Sequence, residues 1–141
     1  MKILITGAAG FIGFHFALEM LKNDYHVIGI DNMNSYYDKK LKESRVQEIE
    51  KFTERNNCLW NFFMGDIEDN NFLDKIISKY NPKYIVHLAA QAGVRYSIEN
   101  PRAYINSNIV GFSIYDIAAM LDAAGWYQGV HHMDKVQKNQ L

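Results

Sequence analysis

The chain has 141 residues, of which 48% are apolar and 13% are aromatic, a composition typical of one globular domain with its own core. Its 15 basic and 16 acidic residues give a net charge of -1, which argues against nucleic acid or an anionic membrane as a partner. No uncharged apolar stretch is long enough to span a bilayer, and the single cysteine, Cys58, suits a reducing compartment. We therefore expect a cytoplasmic protein.

The first half of the chain alternates short apolar runs with helical patterns. Lys2–Thr6 is rich in β-branched residues and predicts a strand buried on both faces. Apolar spacing predicts a helix over 11–23, and His26–Ile30 predicts a second buried strand. The polar segment Asp31–Asp38 is predicted to be a loop, and the charged segment Lys39–Arg55 a largely solvated helix whose charges need no functional explanation. The predicted apolar stripe of that helix is Leu41, Val46, Ile49 and Phe52.

The second half continues this alternation. Leu59–Met64 is predicted to be a third strand, Asn71–Lys79 a helix and Tyr84–Leu88 a fourth strand. A last helix is predicted from Asn100-Pro101 to about Asp122, because Asn is a favoured N-cap and Pro a favoured first helical residue. Residues 123–141 have no sustained periodicity, so we expect a frayed tail there.

This order of elements predicts the fold class. Strands that alternate with helices indicate parallel strands joined by right-handed crossovers. We expect an α/β fold over residues 1–122, a Rossmann-like doubly wound parallel sheet of about four strands in the order 3-2-1-4.

A glycine motif lies between the first predicted strand and the first predicted helix. The segment Gly7–Gly13 reads G-x-x-G-x-x-G, and its position between strand and helix is typical of dinucleotide binding. Gly7 permits a tight turn, Gly10 lets backbone approach a pyrophosphate, and Gly13 lets the helix lie close to the sheet. The helix start then offers N–H groups and a positive dipole end to the anion. A turn that packs a helix closely and binds no nucleotide is the alternative.

Asp31 follows the second predicted strand, eighteen positions after Gly13. A carboxylate there can accept hydrogen bonds from the adenosine ribose hydroxyls, and its charge would repel a 2′-phosphate. The sequence therefore predicts NAD rather than NADP. The alternative is that Asp31 only begins the following loop.

Two weaker signals follow the third and fourth predicted strands. Asp66 is placed to reach the adenine amino group, and the small residues Ala89 and Ala90 after Leu88 would let backbone approach a ligand. Each of these features also occurs as an ordinary turn or packing site.

Five segments together resemble a known family. They are T-G-A-A-G-F-I-G at 6–13, D-N-M-N-S-Y-Y-D at 31–38, G-D-I at 65–67, H-L-A-A-Q-A-G-V-R-Y-S-I-E-N-P at 87–101 and N-S-N-I-V-G-F at 106–112. This pattern resembles the extended short-chain dehydrogenase/reductase family, and the A-G-V-R-Y-S block favours its UDP-glucuronate 4-epimerase branch. The resemblance extends to about residue 116.

The resemblance implies a set of site residues. For NAD the set is Gly7, Ala9, Gly10, Phe11, Ile12, Gly13, Asp31, Asn32, Asp66, Ile67, Leu88, Ala89, Ala90 and Asn108. For the nucleotide sugar, of the UDP-glucuronate class, the set is Gln91, Arg95 and Ser97.

The resemblance also implies a reaction. In this family NAD accepts hydride from C4 of the sugar, and a keto intermediate takes the hydride back on its other face. The base is the Tyr of a Tyr-x-x-x-Lys motif on the helix after strand five, aided by a Ser or Thr. We find no such residues at the family's position in this sequence and expect no catalytic residue in it. Tyr36–Lys40 spells the motif on a loop, which we interpret as coincidence.

Three interpretations remain open from the sequence. The first is the N-terminal part of a nucleotide-sugar epimerase that binds NAD but cannot complete the reaction alone. The second is a non-catalytic NAD-binding or regulatory module, and the third is one half of a split enzyme.

Two further expectations concern assembly and metals. The open edge of the fourth strand and the apolar residues Ile117, Met120 and Leu121 favour a homo-oligomer. The pair His131-His132 with Asp134 is a weak metal signal, so no metal site is expected.

Overall fold

Eight regular elements alternate along the chain in the computed structural model, which describes residues 1–36, 38–90, 98 and 101–105. They are β1 (Lys2–Thr6), α1 (Phe11–Lys22), β2 (His26–Asp31), α2 (Lys39–Asn56), β3 (Trp60–Met64), α3 (Asn70–Tyr80), β4 (Tyr84–His87) and α4 (Pro101–Ile105). Each predicted strand and helix is present, and up to β4 no predicted end differs from the observed one by more than one residue. The predicted continuation of the last helix to residue 122 and the predicted tail lie outside the described residues.

The four strands form one parallel sheet in the order β3-β2-β1-β4, which confirms the predicted fold and strand order. Thr6 at the end of β1 pairs with Ile30 on one side and with His87 on the other. The carboxyl ends of β1, β2 and β4 therefore meet at one edge of the sheet. In open α/β sheets ligands bind outside this edge.

Apolar residues cover both faces of the sheet. One face packs α1 and α2 against the sheet, and its core includes Ile3, Ile5, Ala17, Leu21, Val27 and Ile49. The other face packs α3, and its core includes Leu4, Ile28, Ile30, Leu73, Ile76 and Ile77. Because successive side chains of β1 point to opposite faces, the continuous apolar run of this strand fills both layers.

The buried stripe of α2 matches the predicted one at Val46 and Ile49, with Phe52 partly buried against the same core, and differs from it at Leu41. Its buried residues are Lys42, Val46, Ile49 and Thr53, which recur at the spacing of one helical face. Leu41, predicted to face the core, is 49% exposed. The prediction was wrong here because a lysine occupies the inward position and leucine the outward one. The expectation that the charges of this helix need no explanation therefore fails for Lys42.

Local signals fix the ends of α2 and α3. The Asp38 side chain accepts a hydrogen bond from the Lys40 N–H (2.9 Å), and the Asp69 side chain accepts one from the Phe72 N–H (3.1 Å). Both helices end at an asparagine in the left-handed region, Asn57 with φ of 53° and Asn81 with φ of 46°. Asparagine tolerates this conformation better than most residues do. Within the described ranges, no helix has both the length and the apolar character that crossing a membrane requires.

Candidate nucleotide-binding cleft

The glycine motif forms a tight turn between β1 and α1. Gly7 has φ of +70°, a conformation that costs a residue with a side chain. The Gly10 N–H donates to the Gly7 carbonyl oxygen at 2.9 Å. A Cβ on Gly7 would lie 2.7 Å from the Leu88 carbonyl group and the Ala89 nitrogen. Glycine is therefore required where the turn meets the end of β4.

The start of α1 lies directly against this turn. A Cβ on Gly13 would collide with the Gly7 carbonyl oxygen, so glycine lets the helix approach the strand end as the sequence predicted. Gly10 is the N-cap residue and contributes no side-chain hydrogen bond to the helix. The first N–H groups of a helix have no acceptor within it. They are therefore available, together with the positive end of the helix dipole, for an anion.

A cation from α2 braces the turn from outside. Arg45 Nη1 donates to the Ala9 carbonyl oxygen at 3.1 Å, and its guanidinium lies 5.8 Å from the centre of the Phe11 ring. Phe11 and Ile12 are each 67% exposed, so these two predicted site residues present apolar surface beside the turn. Arg45 was not predicted from the sequence, because nothing local distinguishes it from the other charges of its helix.

Asp31 connects three elements at the end of β2. Its Oδ2 accepts a hydrogen bond from the Ala9 N–H (3.2 Å), and its Oδ1 accepts one from the Met33 N–H (2.8 Å). Lys42 Nζ of α2 lies 3.2 Å from the same Oδ1. The Asp31 side chain is 5% exposed. Asp31 is therefore the last residue of β2, its side chain bonds the start of the following loop, and it also lines the cleft.

Lys42 is the partner that the sequence did not reveal. Its Nζ also donates to Asn34 Oδ1 at 3.1 Å, and its side chain is 8% exposed. A buried lysine requires a paired charge and satisfied N–H groups, and Asp31 and Asn34 supply them. The available signal was its helical spacing with Val46 and Ile49, although that spacing alone does not distinguish Lys42 from a solvated lysine.

Two polar residues line the cleft further along the sheet. Asn32 Nδ2 donates to Asp66 Oδ2 at 3.1 Å, and Asp66 Oδ1 accepts the Glu68 N–H at 3.1 Å. Partial burial, with a smaller contribution from the Asp66 carboxylate, raises the pKa of the Glu68 carboxyl. Asp66 is thus held in place just beyond β3, where it lines the cleft.

The opposite side of the cleft, at the end of β4, carries no charge pair among the described contacts. Thr6 Oγ1 accepts the N–H groups of Leu88 and Ala89, each at 3.2 Å, and lies 2.7 Å from His87 Nδ1. The hydroxyl and the ring nitrogen are within hydrogen-bonding distance, and the direction of this bond depends on the imidazole tautomer. Burial lowers the pKa of His87.

The structure brings most of the predicted cofactor residues to one cleft. The cleft is lined by Gly7, Gly10, Ile30, Asp31, Asn32, Asn34, Tyr36, Lys42, Gly65, Asp66, Ile67, Leu88, Ala89 and Ala90. Ala9, Phe11, Ile12 and Gly13 belong to the adjoining turn and helix start. Four predicted residues lie outside the described residues: Gln91, Arg95, Ser97 and Asn108.

Metal ligands do not gather in the described part of the chain, where no group of three His, Cys, Asp or Glu side chains could hold an ion. The segment with His131, His132 and Asp134 lies outside it.

This sheet order and glycine turn define the class of protein. The family model described as GDP-mannose 4,6 dehydratase matches residues 4–130. The chain belongs to this family of epimerases and dehydratases, within the extended short-chain dehydrogenases/reductases.

Two relatives show which members of the family the chain is similar to. The chain is 52% identical over 114 residues to Protein CapI of Staphylococcus aureus, and 46% identical over 111 residues to a probable UDP-glucuronate 4-epimerase of Rhizobium meliloti. Each alignment covers 79% of this chain, but only 32% and 31% of the relative. The chain thus spans about a third of the length of these relatives.

Solved structures agree with the fold. A UDP-glucuronic acid 4-epimerase variant from Bacillus cereus, in complex with a fluorinated UDP-sugar and NAD, has a TM-score of 0.68 at 34% identity. A UDP-glucose 4-epimerase from Thermotoga maritima, with UDP-glucose, has a TM-score of 0.69 at 33% identity. The matches cover 87% and 89% of this chain, and 36% and 35% of the neighbours.

Proposed function

We propose that this chain is the NAD-binding part of a nucleotide-sugar 4-epimerase that acts on UDP-glucuronate. The observation that carries the proposal is the position of Asp31. Its carboxylate lines the cleft at the end of β2, hydrogen-bonded to the glycine turn through the Ala9 N–H. This hydrogen bond joins Asp31, which would bind the ribose, to the glycine turn, which would bind the pyrophosphate. The two are therefore close enough to bind one dinucleotide.

The cleft fits NAD at the level of its backbone. Gly10 lines the cleft, and among the described residues a Cβ there would have one neighbour within 4 Å, the Gly7 carbonyl oxygen at 3.0 Å. Any larger side chain would extend into the space where a pyrophosphate would approach the start of α1. Asp31 would hold the adenosine ribose, and Asp66 would face the adenine.

The substrate class is proposed from the similarity to UDP-glucuronate 4-epimerases. When bound, NAD supplies reversible hydride transfer at C4 of the sugar. The residues of this chain hold and orient the cofactor. The general base belongs, in this proposal, to the Tyr-x-x-x-Lys part of the family pattern, which these 141 residues do not contain at the family's position.

Calorimetric titration of the chain with NAD tests cofactor binding, with Gly10→Leu as the variant that fills the cleft. Gly10 is extended, with φ of -68° and ψ of 169°, so leucine introduces no backbone strain. We expect one-site binding that is lost in Gly10→Leu and retained in His15→Leu, a control at an exposed position of α1. Absence of NAD binding, or equal binding by both variants, would contradict the proposal.

Incubation with NAD and UDP-glucuronate tests whether these 141 residues catalyse the reaction alone. We expect no sustained formation of UDP-galacturonate by these 141 residues, because proton removal from the C4 hydroxyl requires a positioned base. Sustained turnover would show that a base is present after all.

A further inference from the structure

Lys42, which has no role in the proposed function, forms an ion pair with Asp31 in the cleft. Lys42 Nζ and Asp31 Oδ1 are 3.2 Å apart, with side chains only 8% and 5% exposed, and both residues line the cleft. A buried ion pair stabilises a fold weakly, because desolvation offsets the attraction. Stability alone is therefore a poor reason for a lysine at this position.

The Asp31 carboxylate uses most of its hydrogen-bond acceptor positions within the protein. A carboxylate accepts about four hydrogen bonds. Oδ1 accepts the Met33 N–H and lies beside Lys42 Nζ, and Oδ2 accepts the Ala9 N–H. One acceptor position remains, on Oδ2. Asp31 can thus accept from one ribose hydroxyl and has no second free position for its neighbour.

Lys42 supplies the complementary donor. An ammonium group has three N–H donors, and two of them are directed at Asp31 and Asn34. The third is available to an oxygen in the cleft. An acceptor on Asp31 and a donor on Lys42 together match a diol, in which one hydroxyl donates and the other accepts.

The charges of the two groups have a second consequence. A lone carboxylate repels a 2′-phosphate, but here a cation lies at hydrogen-bonding distance from it. Because the pair carries no net charge, it repels a 2′-phosphate less than a lone aspartate would. A lysine without the carboxylate would instead attract the phosphate.

We propose that Asp31 and Lys42 act as one specificity unit, in which Asp31 neutralises a lysine that would otherwise bind the 2′-phosphate of NADP. This inference rests on the proposed NAD function. In this arrangement Lys42 donates to a ribose oxygen, and the balance between the two charges sets the ratio of NAD to NADP affinity.

The first test measures both affinities in Lys42→Met, which keeps the length of the apolar stem. The bare carboxylate should weaken NADP binding more than NAD binding, so the affinity ratio should move toward NAD by about tenfold, the size of one close charge interaction. Lys51→Met, at an exposed position of the same helix, should leave the ratio unchanged. Equal weakening of both cofactors would show a merely structural role and overturn the inference.

The second test should shift the ratio of NAD to NADP affinity in the opposite direction. Asp31→Ser removes the carboxylate and keeps Lys42, and it should move the ratio toward NADP by about tenfold or more. Asp31→Ser combined with Lys42→Met should abolish that gain. NADP affinity that does not depend on Lys42 in this background would overturn the inference. If Asp31→Ser does not fold, Lys42→Met decides alone.

Failure of the unaltered chain to bind NAD would refute the proposed function, whereas NAD binding with an unchanged affinity ratio in the variants would refute only the specificity unit.

Discussion

The two sides of the cleft are built by different chemistry. On the β2 side, Asp31 and Lys42 place opposite charges in a buried setting. On the β4 side, Thr6 and His87 form a neutral hydrogen-bonded pair that orients the backbone of the residues after the strand. The β2 side can therefore discriminate between ligands by charge, whereas the β4 side fixes geometry. At this edge of the sheet, the groups that can distinguish a ligand by charge thus lie apart from those that fix the backbone geometry.

Removal of the carboxylate on the charged side should have the largest effect. In Asp31→Ala the Lys42 ammonium stays buried without its counter-ion, and the N–H groups of Ala9 and Met33 lose an acceptor. We expect a loss of about 3–5 kcal/mol in the free energy of unfolding, measured by urea denaturation. Asp74→Ala, at an exposed aspartate of α3, is the matched control. A loss similar to that of the control would mean that the ion pair does not support the fold.

Gly7→Ala breaks the point where the turn meets the β4 side. The substitution combines left-handed strain with a Cβ placed 2.7 Å from the Leu88 carbonyl group, and we expect a loss of about 2–4 kcal/mol. Thermal unfolding measures it. Gly10→Ala is the milder comparison, since Gly10 is extended and an added Cβ would be close to one described atom, the Gly7 carbonyl oxygen at 3.0 Å. Equal effects of the two exchanges would contradict the described turn.

Thr6→Val removes the hydroxyl on the neutral side and keeps the shape of the side chain. The Ala89 N–H and His87 Nδ1 lose their partner in Thr6, while the Leu88 N–H keeps the Thr6 carbonyl oxygen at 3.1 Å. We expect a loss of about 1–2 kcal/mol in unfolding free energy. Thr6→Ser, which retains the hydroxyl, should recover most of it. No recovery would indicate that packing rather than hydrogen bonding matters here.

The smallest expected effect is the pH dependence due to His87. Burial lowers the pKa of this imidazole from its ordinary value of 6.5, so the unfolded chain binds the proton first as the pH falls. Its contribution to stability is complete above pH 6.5 and is lost as the pH drops through the lowered pKa. Unfolding curves between neutral and mildly acidic pH should show this loss in the unaltered chain and in His15→Gln. The loss should be smaller in His87→Gln, and an unchanged slope there would assign it to another group.

Much of the fold was predictable because its signals are local. The buried strands appear as β-branched runs, and Gly7 and Gly13 mark a turn between a strand and a helix. Asp31 was predicted to lie in the site for the same reason. The contacts of Asp31 were not predictable, because they join elements that only the packed fold brings together. Asp31 lies 22 positions from Ala9 and 11 from Lys42. The contacts of Arg45 with Ala9 and of His87 with Thr6 likewise span 36 and 81 positions.

Helix α2 shows the limit most clearly. Val46 and Ile49 were predicted to face the core and do so. An apolar pattern gives leucine priority over lysine, so Leu41 was assigned inward. The buried carboxylate at the end of β2 reverses that choice, since it stabilises an inward ammonium at the neighbouring position.

The ion pair has a consequence for how this protein can change. Asp31 and Lys42 are 11 positions apart, and their contact joins the two ends of the intervening segment, which Asn34 and Asn32 also hold through bonds to Lys42 and Asp66. Insertions or deletions between these ends can be absorbed in the loop at modest entropic cost. The segment 31–42 can therefore be grafted as one unit. Grafting it between proteins that share the sheet would transfer the cofactor preference and leave the chemistry elsewhere unchanged.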